Sequence, residues 1–142
     1  MRMLNRTIKT TSFFALLLLS IINMARAEVV DIDNEALQKL IADGVTLVDL
    51  RRPDEWKNTG VVKGSQLMTF FDAKGEYDAQ AWLTQLGGIV KQDAPVILIC
   101  HSGNRSNVVS RWLSKEVGFE KVYNVTNGIV AWQADGGLTV QP

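Results

Sequence analysis

The single cysteine of the 142-residue chain, Cys100, closes an apolar run, Pro95-Val96-Ile97-Leu98-Ile99, and opens a small polar stretch, His101-Ser102-Gly103-Asn104-Arg105-Ser106. Apolar spacing resumes at Val108, Val109, Trp112 and Leu113, which predicts a helix from Ser106 to Glu116. A buried strand, a tight loop and a helix start therefore bracket the sulfur. Free backbone N–H groups and the positive end of a helix dipole favour an anion in such a place, and Arg105 adds a permanent cation. The chemistry this suits is attack by a thiolate. Gly103 permits a left-handed turn and leaves the approach open, and Asn104 tolerates the same backbone better than most residues. Ser102 offers a hydroxyl to an incoming anion, and Ser106 offers one to the sulfur or to the helix start.

A lone cysteine also has a plain explanation, because free cysteine is among the most buried residue types and fills space well. The strand end, Gly103, Arg105 and the helix start weigh against it. His101, the only histidine, invites a general-base role beside Cys100. Adjacent side chains need not face each other, so a rim position that tunes charge or selectivity is the preferred reading. No group of histidines, cysteines and carboxylates has metal-ligand spacing, so neither a metal nor a cofactor is expected.

The rest of the chain must position this loop. Val29 to Ile32 reads as a strand, with Asp33 or Asn34 capping a helix from Glu35 to Ala42 and Gly44 behind it. Val45 to Leu50 is a second strand. Arg51 to Trp56 then turns, with Pro53 suited to a first helical position. Gln66 to Met68 predicts a third strand, Asp78 to Leu86 a helix stopped by Gly87-Gly88, and Pro95 to Ile99 the most hydrophobic strand. Lys121 to Val125 is the last clear strand and Gly128 to Ala134 a closing helix. Alternating strands and helices imply a parallel sheet covered on both faces, with active sites at the carboxyl ends of its strands. Cys100 lies at one such end.

Around it, Asp49 and Glu55 are candidates to receive Arg105 and so order the loop. The alternatives are that Arg105 meets the oxyanion of a donor directly, and that the two carboxylates make ordinary surface ion pairs worth ~0–1 kcal/mol. Arg51 is placed within reach of a substrate and Arg52 in solvent. The four tryptophans are assigned to the core, as are Phe70 and Phe71, with a pocket wall as the second role of that pair.

The first residues follow a different logic. Arg2, Arg6 and Lys9 precede a ten-residue apolar run, Phe13 to Ile22, and Ala25-Arg26-Ala27 follows. This is the layout of a cleaved signal peptide spanning residues 1–27, and the apolar run is too short for a membrane anchor, which needs ~20 residues. It predicts export, to the periplasm in the first instance, and one domain from 28 to 142. Four of the 15 basic residues and none of the 15 acidic ones lie in this segment, leaving 11 against 15 and a net charge near −4. Such a surface gives no footprint for nucleic acid or an anionic membrane. An oxidising compartment also oxidises idle exposed thiols, which strengthens a functional role for Cys100.

Three motifs in order resemble the rhodanese family of sulfurtransferases: Val48-Asp49-Leu50-Arg51-Arg52-Pro53-Asp54-Glu55-Trp56, the Cys100 to Arg105 loop, and Val125-Thr126-Asn127-Gly128-Ile129-Val130-Ala131-Trp132. Their spacing resembles one rhodanese domain over nearly all of Val29 to Val140. The family's Gly-His-Ile-x-Gly-Ala segment stands here as Gly60-Val61-Val62-Lys63-Gly64-Ser65, without the histidine. The resemblance implies an α/β fold with a parallel sheet of about five strands flanked by helices on both faces. It implies an enzyme in which Cys100 takes a sulfane sulfur from thiosulfate or a related anion, holds it as a persulfide, and passes it to a thiol, to cyanide or to an acceptor protein. Two alternatives stand beside it. One is a non-catalytic sulfur carrier or sensor. The other is a cysteine-dependent phosphatase, whose loop has five residues between cysteine and arginine; the four here should form a tighter ring, suited to sulfur.

Overall fold

The computed structural model describes residues 27–142, so all but the last residue of the expected signal peptide lies outside it. The elements are β1 (Glu28–Ile32), α1 (Asn34–Ala42), β2 (Thr46–Asp49), α2 (Pro53–Thr59), β3 (Val61–Val62), β4 (Gln66–Leu67), α3 (Ala79–Gly87), β5 (Val96–Ile99), α4 (Asn104–Trp112), β6 (Lys121–Val125), α5 (Gly128–Ala134) and β7 (Thr139–Val140). Five strands form one parallel sheet in the order β1-β6-β5-β2-β4. The most apolar strand, β5, is central.

Both faces of that strand are buried, which explains its unbroken run of apolar residues. Val96 and Leu98 point into a layer with Val48, Trp82, Leu86, Val109 and Leu113, from β2, α3, α4 and the turn that follows α4. Ile97 and Ile99 point into the opposite layer with Leu37, Leu47, Ile129 and Trp132, from α1, β2 and α5. The sheet is thus sandwiched between α3 and α4 on one side and α1 and α5 on the other. Asp33 caps α1 by accepting from the Ala36 N–H at 2.9 Å, and Asp78 caps α3 by accepting from Ala81 at 2.9 Å. No helix among the described residues is long and apolar enough to cross a membrane.

The α4 helix begins at Asn104, two residues before the expected start, because Gly103 turns with φ +95° and lets the chain enter helix at once. Its last turn widens into a π-turn over Leu113–Val117. The small antiparallel ribbon of β3 and β7 was not foreseen. Two-residue strands carry no usable periodicity, and Val61-Val62 lies inside a turn-rich stretch.

Candidate active site

Cys100 follows the last residue of β5 and is 1% exposed. Its Sγ accepts hydrogen bonds from the Gly103 N–H at 3.2 Å and the Ser106 N–H at 3.4 Å, and the Ser106 hydroxyl oxygen is also 3.4 Å away. Ser106 Oγ donates to the Gly103 carbonyl at 3.1 Å. That hydroxyl has one proton: it serves the carbonyl when Cys100 is a thiol donating to it, and is free to turn to the sulfur when Cys100 is a thiolate. The loop therefore curls around the sulfur with N–H groups inward, the geometry of an anion nest. Among the loop residues, Gly103 and Ser106 are buried against the sulfur, while His101, Ser102 and Asn104 are exposed on its rim. The structure gives His101 no side-chain hydrogen bond to Cys100; its backbone carbonyl accepts from the Val130 N–H at 3.1 Å.

A second layer holds the loop from behind. The Ile129 N–H donates to the Cys100 carbonyl at 2.9 Å, so the start of α5 grips the loop through its backbone. The fit is close. A Cβ on Gly103 would lie 1.8 Å from the Thr126 carbonyl oxygen, and one on Gly128 would lie 2.3 Å from that of His101. This buttress from Thr126 to Ile129 was missed at the level of function, although Gly103 and Gly128 both belong to the motifs singled out above.

Arg105 turns away from the sulfur and joins Glu55, with Nη1 donating to Oε2 at 2.9 Å and Nη2 to Oε1 at 2.6 Å. Glu55 Oε2 also accepts from the Arg52 N–H at 2.9 Å, which ties the pair to the start of α2. The two hydrogen bonds from Arg105 hold the Glu55 carboxyl down to about 2, with the Arg52 N–H assisting and burial opposing. Glu55 in turn raises the Arg105 guanidinium above its ordinary value. Of the two readings of Arg105, the geometry is that of a latch on the loop.

Arg51 corrects the expectation placed on it, and Asp49 has a structural part with a partner other than Arg105. Arg51 does not reach a substrate: its side chain is wholly buried, with Nη2 2.7 Å from Asp49 Oδ2. Arg51 further donates to the Thr59 hydroxyl at 2.6 Å and the Gly60 carbonyl at 2.8 Å. Asp49 receives Arg51, not Arg105. A strand-end carboxylate two residues before an arginine signals such a pair only once β2 is known to be covered on both faces. Arg52 is half-buried, with Nε 3.2 Å from Asp54 Oδ1. Phe70 packs in the core, whereas Phe71 lines an open cleft of about 500 Å³ together with Arg52, Lys74, Asn104, Arg105 and Val108.

A buried thiol on a nest of N–H groups, at the end of the central strand of a doubly covered parallel sheet, defines the class: an α/β protein with a sulfur held at the carboxyl edge of its sheet in a field that suits an anion. Residues 33–135 match the rhodanese-like domain, and the chain belongs to that family. It is 29% identical over 114 residues to rhodanese-like domain-containing protein 17 of Arabidopsis thaliana, covering 78% of this chain and 72% of that one. It is 28% identical over 99 residues to a thiosulfate sulfurtransferase, GlpE, of Tolumonas auensis, covering 70% of this chain and 82% of that one. Among solved structures, the polysulfide-sulfur transferase homodimer of Wolinella succinogenes superposes with a TM-score of 0.62 at 25% identity, over 82% of this chain and 81% of that one. These relatives support sulfurtransferase activity at the level of the family.

Proposed function

We propose that the protein transfers a sulfane sulfur through a persulfide on Cys100. The observation that carries this reading is the pair of N–H groups, from Gly103 and Ser106, aimed at Sγ. A Cys100 thiolate attacks the outer sulfur of thiosulfate or a similar donor; the sulfur–sulfur bond of the donor breaks and its electron pair leaves with sulfite. The negative charge then rests on the outer sulfur of the persulfide, within a loop whose dipoles already point inward and need no reorganisation. Cyanide, a thiol or an acceptor protein removes that sulfur and regenerates the thiolate.

Two features favour sulfur over phosphate as cargo. Only four residues separate Cys100 from Arg105, and Arg105 is committed to Glu55 rather than facing the hollow of the loop. A phosphatase needs that guanidinium on its phosphate. The pattern of residues 1–27 supports export, and residues 28–142 act as one domain in this reading. Incubating the protein with thiosulfate and weighing it intact should show one added sulfur on wild type and none on Cys100→Ser. Thiocyanate formation should then exceed aryl-phosphate hydrolysis, and the reverse order would overturn the assignment. Sulfur loading without turnover to cyanide or any thiol would favour the carrier reading.

A further inference from the structure

Beside the sulfur loop lies a cleft larger and more apolar than an inorganic sulfur anion requires. The cleft of about 500 Å³ shares Asn104 and Arg105 with the sulfur loop. It shares Phe71 and Val108 with a second hollow of about 310 Å³, walled also by Tyr77 and Trp112. Asn104, Val108 and Trp112 recur every four residues, so they form one stripe along α4 that starts at the loop and runs ~12 Å away from it. Val108 and Tyr77 are 59% and 61% exposed, although each is large and apolar enough to be worth burying.

Charge is graded along the same path. Arg52 and Lys74 both line the cleft that includes the loop residues Asn104 and Arg105, whereas no charged residue lines the second hollow. Arg105 is neutralised by Glu55, and Arg52 is shared with Asp54, but none of the ion pairs among the described residues includes Lys74. The turn that carries Lys74 is held rigidly, since Asp72 Oδ1 accepts from the N–H groups of Lys74 and Glu76 at 2.8 Å each. The one carboxylate on the cleft wall, Asp72, thus commits its Oδ1 to its own turn. Beyond the cations the wall is aromatic and aliphatic.

From this gradient we infer that the cleft is the acceptor subsite, and that the acceptor is an organic thiol with an anionic group near its sulfur and an apolar arm beyond it. The inference rests on the sulfur-transfer reading. Thiosulfate has nothing to lay on Phe71, Val108 or Trp112, so this wall serves the second substrate. The acceptor thiol gives its proton to the outer sulfur of the Cys100 persulfide as its own sulfur attacks there and forms a new sulfur–sulfur bond. The bond to Sγ breaks, its electron pair returns to Cys100 as thiolate, and the product leaves as the acceptor's hydropersulfide. No external oxidant or reductant is needed.

The test separates the two half-reactions. Protein is first loaded with thiosulfate and the added sulfur confirmed by mass; failure at this stage overturns the sulfur-transfer reading itself. Loaded protein is then mixed with 2-mercaptoethanol, N-acetylcysteine, N-hexanoylcysteine or N-hexanoylcysteine methyl ester, with rates compared per thiolate. N-hexanoylcysteine should discharge the persulfide about tenfold faster than N-acetylcysteine, the gain expected from burying part of the arm. It should exceed its methyl ester about fivefold, as a partly exposed ion pair allows. Val108→Ser should remove most of the first ratio and Lys74→Met most of the second. Equal rates for all four thiols, or ratios untouched by both substitutions, would overturn the subsite. Faster loading from N-hexanoylcysteine persulfide than from thiosulfate, with no preference in discharge, would assign the cleft to the donor and equally overturn it.

Discussion

Arg105 and Glu55 meet as a two-pronged pair, 2.9 and 2.6 Å, that joins the sulfur loop to α2 across fifty residues of sequence. In the proposed sulfur transfer the guanidinium acts through the loop's shape, by holding the segment that carries the Gly103 and Ser106 N–H groups. Glu55→Gln keeps one acceptor but loses the charge and leaves Arg105, only 23% exposed, without its counterion. The expected outcome is a stability loss of about 1–3 kcal/mol and a fall in the rate of sulfur loading of about 10- to 100-fold, since small misplacements of a catalytic group are costly. Chemical denaturation and stopped-flow loading measure the two. A stability loss with an unchanged loading rate would detach the latch from the chemistry.

The same pair sets a pH dependence. Arg105 lowers the Glu55 carboxyl to about 2 from its ordinary 4.5, so the folded protein binds that proton less readily than the unfolded chain. The stability it contributes is complete above ~4.5 and drains away as pH falls through about 2, with ~2 kcal/mol at stake after allowance for its exposed edge. The stability gap between wild type and Glu55→Gln, measured in urea from pH 7 downward, should be flat to pH 5 and narrow steadily toward pH 2. A gap that stays constant over that whole range would show that Glu55 titrates alike in both states.

Asp49 and Arg51 predict a different response, because neither side chain is exposed at all. Removing one partner leaves a buried charge uncompensated, so Asp49→Asn should cost about 3–5 kcal/mol. Arg51→Lys should also destabilise by more than ~2 kcal/mol, since one ammonium cannot span Asp49, Thr59 and the Gly60 carbonyl together. Replacing both at once, Asp49→Leu with Arg51→Met, should recover a large part of the loss. Urea denaturation of wild type, Asp49→Leu, Arg51→Met and the double variant closes the cycle, and a double variant as unstable as the sum of those two singles would refute a mutual pair.

How much of this was readable from residues alone depended on the range of the interaction. The strands and helices that position Cys100 follow local periodicity and caps, and β6 and α5 fall at the residues expected, because Lys121 to Val125 and Gly128 to Ala134 carry clean signals. The sulfur's own partners, Gly103 and Ser106, lie within six residues and were candidates from the start. Asp49, Glu55, Arg51 and Arg105 were also all candidates, but four charges admit several pairings, and only the sheet order decides which meet. The cleft was harder still. Lys74 sits in a polar turn that resembles any solvated loop, and Phe71 differs from its neighbour Phe70 only in the direction it faces.

Gly103 tests the backbone buttress, which carries no side-chain signature. Its φ of +95° is open to glycine, and a Cβ would fall 1.8 Å from a backbone carbonyl that cannot yield without moving Thr126. Gly44 has a similar φ, +82°, with nothing within 4 Å of its would-be Cβ, and it lies away from the sulfur loop. Gly44→Ala should therefore cost only the conformational strain, about 1 kcal/mol, and retain sulfur loading. Gly103→Ala carries that strain plus the collision, so it should lose at least ~3 kcal/mol and load sulfur at a rate reduced by ~100-fold or more. Thermal melts of both variants beside intact-mass loading assays make the comparison. If the two substitutions behaved alike, the contact between Gly103 and Thr126 would have no part in holding the N–H groups on the sulfur.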